Sequence, residues 1–200
     1  MARLNHVEPG GDPLTLPLSD TVTLTKLSVG PMDNNAYLLR AGAASLLIDA
    51  AADADRLLAV TGPTLDTIVT THRHRDHWQA LSAVGEATGA ALLCGRPDVD
   101  AIATGAWVEG LVGLWDGDRV SVGDESLDVV GLVGHTPGSI ALAYRDPAGG
   151  THLFTGDSLF PGGVGRTSNR ADFQTLLHDV ETKLFDRFGD EAVVHPGHGD

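Results

Sequence analysis

The amino-acid sequence predicts an α/β fold in which two β-sheets pack together and helices cover their outer faces. Strand-like runs occur in two sets along the chain, and each set is followed by a segment with helical periodicity. Hydrophobic residues make up 42% of the 200 residues, which is enough for a substantial buried core. Because a sheet with two apolar faces needs cover on both, the pattern favours layers of sheets and helices. We expect a single domain over residues 1–200.

Charge and composition exclude several classes of protein. Thirteen lysines and arginines against 27 aspartates and glutamates give a formal net charge of −14, which argues against nucleic acid and anionic membranes as partners. No apolar run approaches the roughly 18–20 residues that span a bilayer. Residues 1–12 hold one arginine and two acids without an apolar core, unlike a signal peptide. The single cysteine, Cys94, excludes an intrachain disulfide. We therefore expect a cytoplasmic protein.

In the first half of the chain, short apolar runs alternate with turn residues. Residues 1–20 contain prolines and paired glycines and are expected to form an irregular arm or an edge segment. Two helices are predicted, over residues 53–60 and 78–88, and Pro97 is expected to open a third, short one. The predicted strands are residues 21–29, 36–39, 45–48, 65–70 and 90–94.

The second half repeats the order of strands followed by a helix. The predicted strands are residues 127–133, 140–144, 151–154 and 192–194. The strongest helical pattern spans residues 172–188, where apolar side chains recur at steps of three and four residues. These side chains are Phe173, Leu176, Leu177, Val180, Leu184 and Phe188.

A cluster of metal-ligand residue types follows the predicted strand 65–70. Its members are His72, His74, Asp76 and His77. In an extended chain, residues i and i+2 share a face, so His72 and His74 can bind one ion together. His77 must point elsewhere once the chain turns into the next helix, and ligands that point in two directions suit two adjacent metal ions. The alternative, a polar helix start with Asp76 as N-cap, leaves the remaining pattern unexplained.

Three more candidate ligands stand at the ends of later predicted strands, each next to a glycine. They are His135, Asp157 and His198. Glycine permits sharp turns and a close approach of the backbone to a site. Ends of neighbouring strands can deliver side chains to one rim of a rigid sandwich, so we expect these residues to meet the first cluster.

Taken in order, the motifs His-x-His-x-Asp-His, His-Thr-Pro-Gly, Gly-Asp and Gly-His resemble those of the metallo-β-lactamase-fold hydrolases. Within that superfamily the chain is similar to the glyoxalase II branch, the hydroxyacylglutathione hydrolases and their relatives. The resemblance covers nearly the whole chain, and the ordered combination is far more specific than any single motif. It implies a four-layer αββα sandwich and two zinc ions per chain, with iron or manganese as substitutes.

Carried over residue by residue, the resemblance implies two metal positions that share one carboxylate. The first would be held by His72, His74 and His135, the second by Asp76, His77 and His198, and Asp157 would bridge both. The implied reaction is attack of a metal-bound hydroxide on a thioester, ester or lactone carbonyl, with Asp76 orienting the water or moving its proton. Such a site has net positive charge and would attract an anionic small-molecule substrate.

The substrate side shows one match to glyoxalase II relatives and several departures. In those relatives a loop with a basic residue follows the bridging aspartate, so Arg166 is expected to bind a substrate carboxylate. The two tyrosines expected nearby are Ser168 and Asp200 in this chain. The helical C-terminal domain of the thioesterase members is not expected here either. These departures weaken the case for glutathione as the leaving group.

Several alternatives use the same residues differently. A persulfide dioxygenase has the same fold but one iron, which would be held here by His135, Asp157 and a histidine such as His74; metal analysis and oxygen uptake separate it from a hydrolase. A β-lactamase is less favoured, because nothing marks a lactam pocket, and a non-catalytic metal-binding protein would not hydrolyse thioesters. The GDSL-esterase signature at residues 156–159 lacks its partner motifs, and residues 162–167 lack the lysine of a phosphate-binding loop.

Overall fold

The computed structural model describes residues 6–200 and contains two large sheets that pack face to face. The first sheet has seven strands whose spatial order follows the sequence. The first four strands pair in antiparallel fashion, and from the fourth strand onward each strand is parallel to the next. Its strands are β1 Leu14–Pro17, β2 Val22–Val29, β3 Asn34–Ala41, β4 Ala44–Ile48, β5 Thr67–Thr70, β6 Ala91–Gly95 and β7 Val112–Leu114.

The parallel part of this sheet is built from three consecutive strand–helix–strand units. The connecting helices are α1 Ala54–Thr61, α2 Leu81–Thr88 and α3 Val99–Ala106. Because such crossovers share one hand and the strands advance in one direction, all three helices lie on the same face of the sheet. They form the first outer layer.

The second sheet runs in the spatial order β14, β11, β10, β9, β8. Its strands are β8 Arg119–Val122, β9 Glu125–Gly131, β10 Ile140–Arg145, β11 Thr151–Gly156 and β14 Val193–Pro196. A small hairpin of β12 Leu159–Phe160 and β13 Gly163–Val164 stands beside it. Helix α4, Arg170–Asp179, continues as a π-helical segment, Val180–Phe185, and a last turn, Asp186–Phe188.

Three hydrophobic layers hold the elements together. In β3 the side chain of Leu38 packs with the helix-facing layer and that of Leu39 with the layer between the sheets, as expected for successive residues of a strand. The outer layer of the second sheet contains Leu176, Val180 and Leu184 from α4 and its π-helical continuation. Both sheets are therefore covered on both faces, and the predicted αββα sandwich is confirmed.

The structure corrects several element predictions. For residues 1–20 we expected an irregular arm or an edge segment, and Leu14–Pro17 does pair with β2 as an edge strand. Residues 1–5 of this segment lie outside the described range. Strands β7 and β8 and the β12–β13 hairpin were not predicted. The helix expected over residues 78–88 begins at Leu81, after a 3₁₀ turn over Arg75–His77. Among residues 6–200, no helix is long and apolar enough to cross a membrane.

Candidate metal centre

The candidate ligands collect at one edge of the sandwich because they follow strands that point the same way. Strand β5 ends at Thr70 and leads into His72, while β11 ends at Gly156 directly before Asp157. β14 runs parallel to β11 and ends two residues before His198. A hydrogen bond from the Ile140 amide to the Thr71 carbonyl, 2.9 Å, joins the two sheets at this edge.

The first cluster consists of His72, His74 and His135. Nε2 of His72 lies 3.1 Å from Nδ1 of His74, and Nε2 of His135 lies 2.9 Å from His74 Nδ1 and 3.2 Å from His72 Nε2. Bonds of about 2.0–2.1 Å to one tetrahedral zinc ion would place such nitrogens about 3.3 Å apart. The spacing of the three nitrogens thus fits one shared cation.

The second cluster consists of Asp76, His77 and His198. Nε2 of His77 is 3.2 Å from Nε2 of His198, and Oδ2 of Asp76 is 3.6 Å and 3.3 Å from these two nitrogens. Asp76 lies inside the 3₁₀ turn that His74 precedes, and its side chain caps no helix. The helix-cap alternative for Asp76 is therefore wrong.

The carboxylate of Asp157 lies between the two clusters. Its Oδ1 is 3.3 Å from Nε2 of His77, and its Oδ2 is 3.4 Å from Nε2 of His198 and 3.6 Å from Nε2 of His135. Oδ1 is buried and makes no hydrogen bond of good geometry with the described residues. A buried carboxylate oxygen without a hydrogen bond is costly unless a cation compensates it. Both clusters and the shared carboxylate thus fit a pair of divalent cations.

The outward nitrogens of the histidines fix the direction of the inward ones. Nδ1 of His198 donates to the Met32 carbonyl at 2.9 Å, and Nδ1 of His135 donates to the Arg166 carbonyl at 2.7 Å. Since a carbonyl oxygen can only accept, each Nδ1 must carry the proton, which leaves Nε2 with a lone pair that faces the cluster. These rings are therefore oriented as metal-binding histidines require.

Asp49, which the sequence did not single out, is hydrogen-bonded to a histidine of the second cluster and to Thr71. Its Oδ2 accepts hydrogen bonds from Nδ1 of His77 at 2.9 Å and from Oγ1 of Thr71 at 2.8 Å, and its Oδ1 accepts from the Thr71 amide at 2.7 Å. Thr71 in turn accepts from Nδ1 of His72 at 3.1 Å. Asp49 follows strand β4 directly, so the rule that found the other strand-end residues applies to it as well.

Asn34 also contacts the second cluster. Its Nδ2 donates to Oδ2 of Asp76 at 2.9 Å and to the Asp76 carbonyl at 3.1 Å. Its backbone also forms an isolated bridge with His198. Asn34 thus holds two members of the second cluster at once, although it stands 42 residues before Asp76 in the sequence.

Electrostatics differ between the two clusters in the metal-free protein. Burial holds the pKa of His72 well below its usual range, and it lowers the pKa of His74 in the same direction. For His77, burial alone would lower the pKa, but the negative charges of Asp49 and Asp157 and the hydrogen bond to Asp49 raise it to about 10. The imidazoles of His72 and His74 are therefore neutral and can bind a cation directly, whereas His77 must first release a proton.

Arg166 lines a pocket next to the first cluster. The pocket has a volume of about 260 Å³ and is bounded by His74, His135, Arg166, Thr167 and Ser168. The Arg166 side chain is exposed, while its carbonyl oxygen accepts the hydrogen bond from His135. All seven predicted ligands are thus brought together, and the predicted substrate residue borders them.

Comparison with known proteins places this geometry in context. Residues 29–198 match the model of the metallo-beta-lactamase superfamily. The chain is 38% identical over 138 residues to a hydroxyacylglutathione hydrolase of Fuscovulum blasticum, covering 67% of this chain and 51% of that protein. It is 34% identical over 148 residues to the human mitochondrial persulfide dioxygenase, covering 72% of this chain and 52% of the human protein. The chain therefore spans about half the length of these two curated relatives.

Solved structures give the same picture. A protein crystallised in a di-iron-bound form is 32% identical to this chain, with a TM-score of 0.72 over 88% of this chain and 92% of the other. The ETHE1 protein of Myxococcus xanthus is 31% identical, with a TM-score of 0.70 over 88% of this chain and 76% of the other.

Proposed function

Since the chain belongs to the metallo-beta-lactamase superfamily, we propose that it is a metal-dependent hydrolase that uses two zinc ions to cleave a thioester, ester or lactone. The observation that carries the proposal is the position of Asp157. One of its carboxylate oxygens faces His77 of the second cluster, and the other lies between His135 of the first cluster and His198 of the second. A centre for a single metal ion would not need this arrangement.

We assign the metal ligands as the geometry groups them. His72, His74 and His135 would hold the first ion, Asp76, His77 and His198 would hold the second, and Asp157 would bind both. When bound, the two cations would supply Lewis-acid chemistry: they would lower the pKa of a water molecule from 15.7 toward roughly 7 and would polarise the carbonyl oxygen of the substrate.

Asp76 is the residue we assign to proton transfer. Its side chain is partly exposed, at 20%, whereas that of His77 is fully buried, so Asp76 faces the solvent side of the centre. A general base must lie within hydrogen-bond reach of the proton that it takes. The hydrogen bond from Nδ2 of Asn34 to its Oδ2 holds the carboxylate in place for that role.

Arg166 is the residue we assign to substrate binding. It borders the pocket beside His74 and His135, where the departing part of a substrate can lie. A guanidinium group binds a carboxylate through paired, charge-assisted hydrogen bonds. The favoured substrate is therefore a small anionic molecule whose carboxylate lies a few ångströms from its reacting carbonyl.

The test combines metal analysis with a small substrate panel. Protein purified without chelator is analysed by mass spectrometry for metal content and then assayed with a thioester, a lactone and the β-lactam nitrocefin. We expect two zinc ions per chain and thioester or lactone hydrolysis that a chelator abolishes and zinc restores. Two bound zinc ions without hydrolysis of any member of the panel would contradict the proposal.

The second candidate function is persulfide oxidation. It is supported by the 34% identity with the human persulfide dioxygenase, and it would use a single iron held by His135, Asp157 and one of the neighbouring histidines. One iron per chain, together with oxygen consumption on addition of a persulfide, would favour this function over hydrolysis.

A further inference from the structure

The buried carboxylate of Asp98 connects two loops that carry the first cluster. Asp98 ends a short helical turn, Arg96–Asp98, behind strand β6, and its side chain has no exposed surface. It belongs to the first sheet and its helices, yet most of its hydrogen bonds go to the loop after β9 in the second sheet. It is therefore placed to align the two halves of the sandwich at the metal edge.

Three hydrogen bonds define this connection. Oδ2 of Asp98 accepts from the Arg73 amide at 2.9 Å and from Oγ1 of Thr136 at 2.6 Å. Oδ1 accepts from the Gly138 amide at 3.1 Å. Arg73 stands between the ligands His72 and His74, and Thr136 follows the ligand His135 directly. One carboxylate thus contacts a neighbour of every first-cluster ligand.

The packing around Asp98 leaves little freedom for movement. A Cβ atom on Gly138 would lie 2.6 Å from Cγ of Asp98, and a Cβ atom on Gly95 would lie 1.8 Å from the Gly138 carbonyl oxygen. Only glycine permits these approaches. Ser139 extends the network, because its hydroxyl lies 2.7 Å from that of Thr136 and accepts from the Thr136 amide at 3.1 Å.

We infer that Asp98 is a positioning residue for the first metal position, acting through the backbone of Arg73 and through Thr136 and Gly138. The inference rests on the proposed function, because it presumes that the three histidines bind a metal ion. Ligand atoms must be held to within about 0.5 Å, and outer hydrogen-bond partners typically change metal affinity 10–100-fold. Asp98 differs from Asp49, since it touches no ligand side chain and no residue of the second cluster.

The test variant is Asp98→Asn, which keeps the volume of the side chain. The asparagine amide has only one acceptor oxygen, whereas the carboxylate has two. Its NH₂ group must therefore face an N–H or O–H donor that the carboxylate accepted from, and that donor loses its hydrogen bond. Zinc affinity is measured by competition with a chromophoric chelator in two backgrounds. His198→Ala removes a ligand of the second position and isolates the first, and His135→Ala removes a ligand of the first and isolates the second.

We expect Asp98→Asn to weaken zinc binding at least tenfold in the His198→Ala background and less than threefold in the His135→Ala background. Asp66→Asn is the matched control. Asp66 also accepts a hydrogen bond from a backbone amide, that of Ser45 at 2.8 Å, but it is not part of either ligand cluster. This variant should change neither affinity. Equal losses in both backgrounds would show a merely structural role and would overturn the inference, as would unchanged affinities.

A second pair of variants covers the case in which Asp98→Asn does not fold. Thr136→Val removes one donor to Asp98, whereas Thr136→Ser keeps the hydroxyl. Zinc affinity at the first position should fall in the valine variant and return in the serine variant; equal affinities in both would overturn the inference. A wild-type chain that binds no zinc would overturn both the proposed function and the role of Asp98. A wild-type chain that binds zinc, with variants that bind it equally well, would overturn only the role of Asp98.

Discussion

Asp49 accepts a hydrogen bond from Nδ1 of His77 across 2.9 Å, and both side chains are shut off from solvent. The same carboxylate holds Thr71 through its amide and its hydroxyl, and Thr71 contacts His72. The backbone of Asp49 adopts a left-handed conformation, with φ of 60°, which turns the chain sharply as it leaves β4. One residue therefore orients a histidine of each cluster, by a direct and an indirect contact.

Asp49→Asn should weaken metal binding at both positions, by about 10–100-fold at the second, because the amide places a donor opposite Thr71 or His77. Chelator competition on the purified variant measures the affinities, and circular dichroism checks that the fold persists. Asp66→Asn again serves as control. A folded Asp49→Asn protein with the zinc affinity of the wild type would show that the hydrogen bond to His77 is dispensable.

Asp157→Ala should lose metal and activity together. The substitution removes the carboxylate that faces histidines of both clusters, so the two cations would repel each other without compensation. We expect fewer than two metal ions per chain and a decrease in thioester turnover of at least about 100-fold, consistent with loss of a bridging ligand. Full turnover by a metal-free Asp157→Ala protein would end the two-metal proposal.

The candidate ligands could be found from the sequence because each stands at a strand end and bears a metal-binding side chain. Asp49 carries the same signal, but the supporting residues Asp98 and Asn34 do not. Asp98 and Asn34 are far in sequence from the groups they bind, and their roles depend on how the two sheets meet. Hydrogen bonds that depend on tertiary packing leave no local periodicity in the chain.

The layered fold was predictable for a similar reason, and the missed elements show the limit. Long buried strands and the amphipathic segment near the end of the chain leave clear patterns. Strand β7, Val112–Leu114, has three residues and lies at a sheet edge, while β8, Arg119–Val122, has only four. Runs this short lie at or below the lower limit of the four to eight residues over which strand alternation can be recognised.

Arg166→Ala should raise KM for an anionic thioester about 10–100-fold and leave kcat nearly unchanged. A hydrogen bond to a charged group contributes about 1.5–3 kcal/mol, and here it would be made equally in the ground state and the transition state. Steady-state kinetics with an anionic substrate and its neutral ester analogue measures the effect, which should be absent for the neutral analogue. Arg170→Ala, at the exposed start of α4, is the control. Equal KM changes for both substrates would exclude carboxylate binding by Arg166.

His195 provides a pH-dependent test of the core behind the metal edge. Its ring is buried and stacks on Phe154, and its Nε2 lies 3.0 Å from Nδ1 of His152. Burial, reinforced by the charges that His152 and Lys26 can carry, lowers the pKa of His195 to about 3, against a usual value of 6.5. Between these pH values the unfolded chain binds a proton that the folded chain does not bind. The folded state therefore loses stability as the pH falls from 6.5 toward 3, by up to about 1.4 kcal/mol per pH unit.

Replacing His195 by glutamine removes this titration. The wild type should be more stable than His195→Gln at pH 7, because the variant loses ring packing, and this advantage should shrink steadily as the pH falls to 4. Urea unfolding with chelator present throughout measures the free energies without a contribution from metal release. His195→Asn, which differs in size but does not titrate either, should give the same pH slope as glutamine. A difference between wild type and variants that stays constant from pH 7 to pH 4 would show that His195 is protonated as readily in the folded as in the unfolded chain.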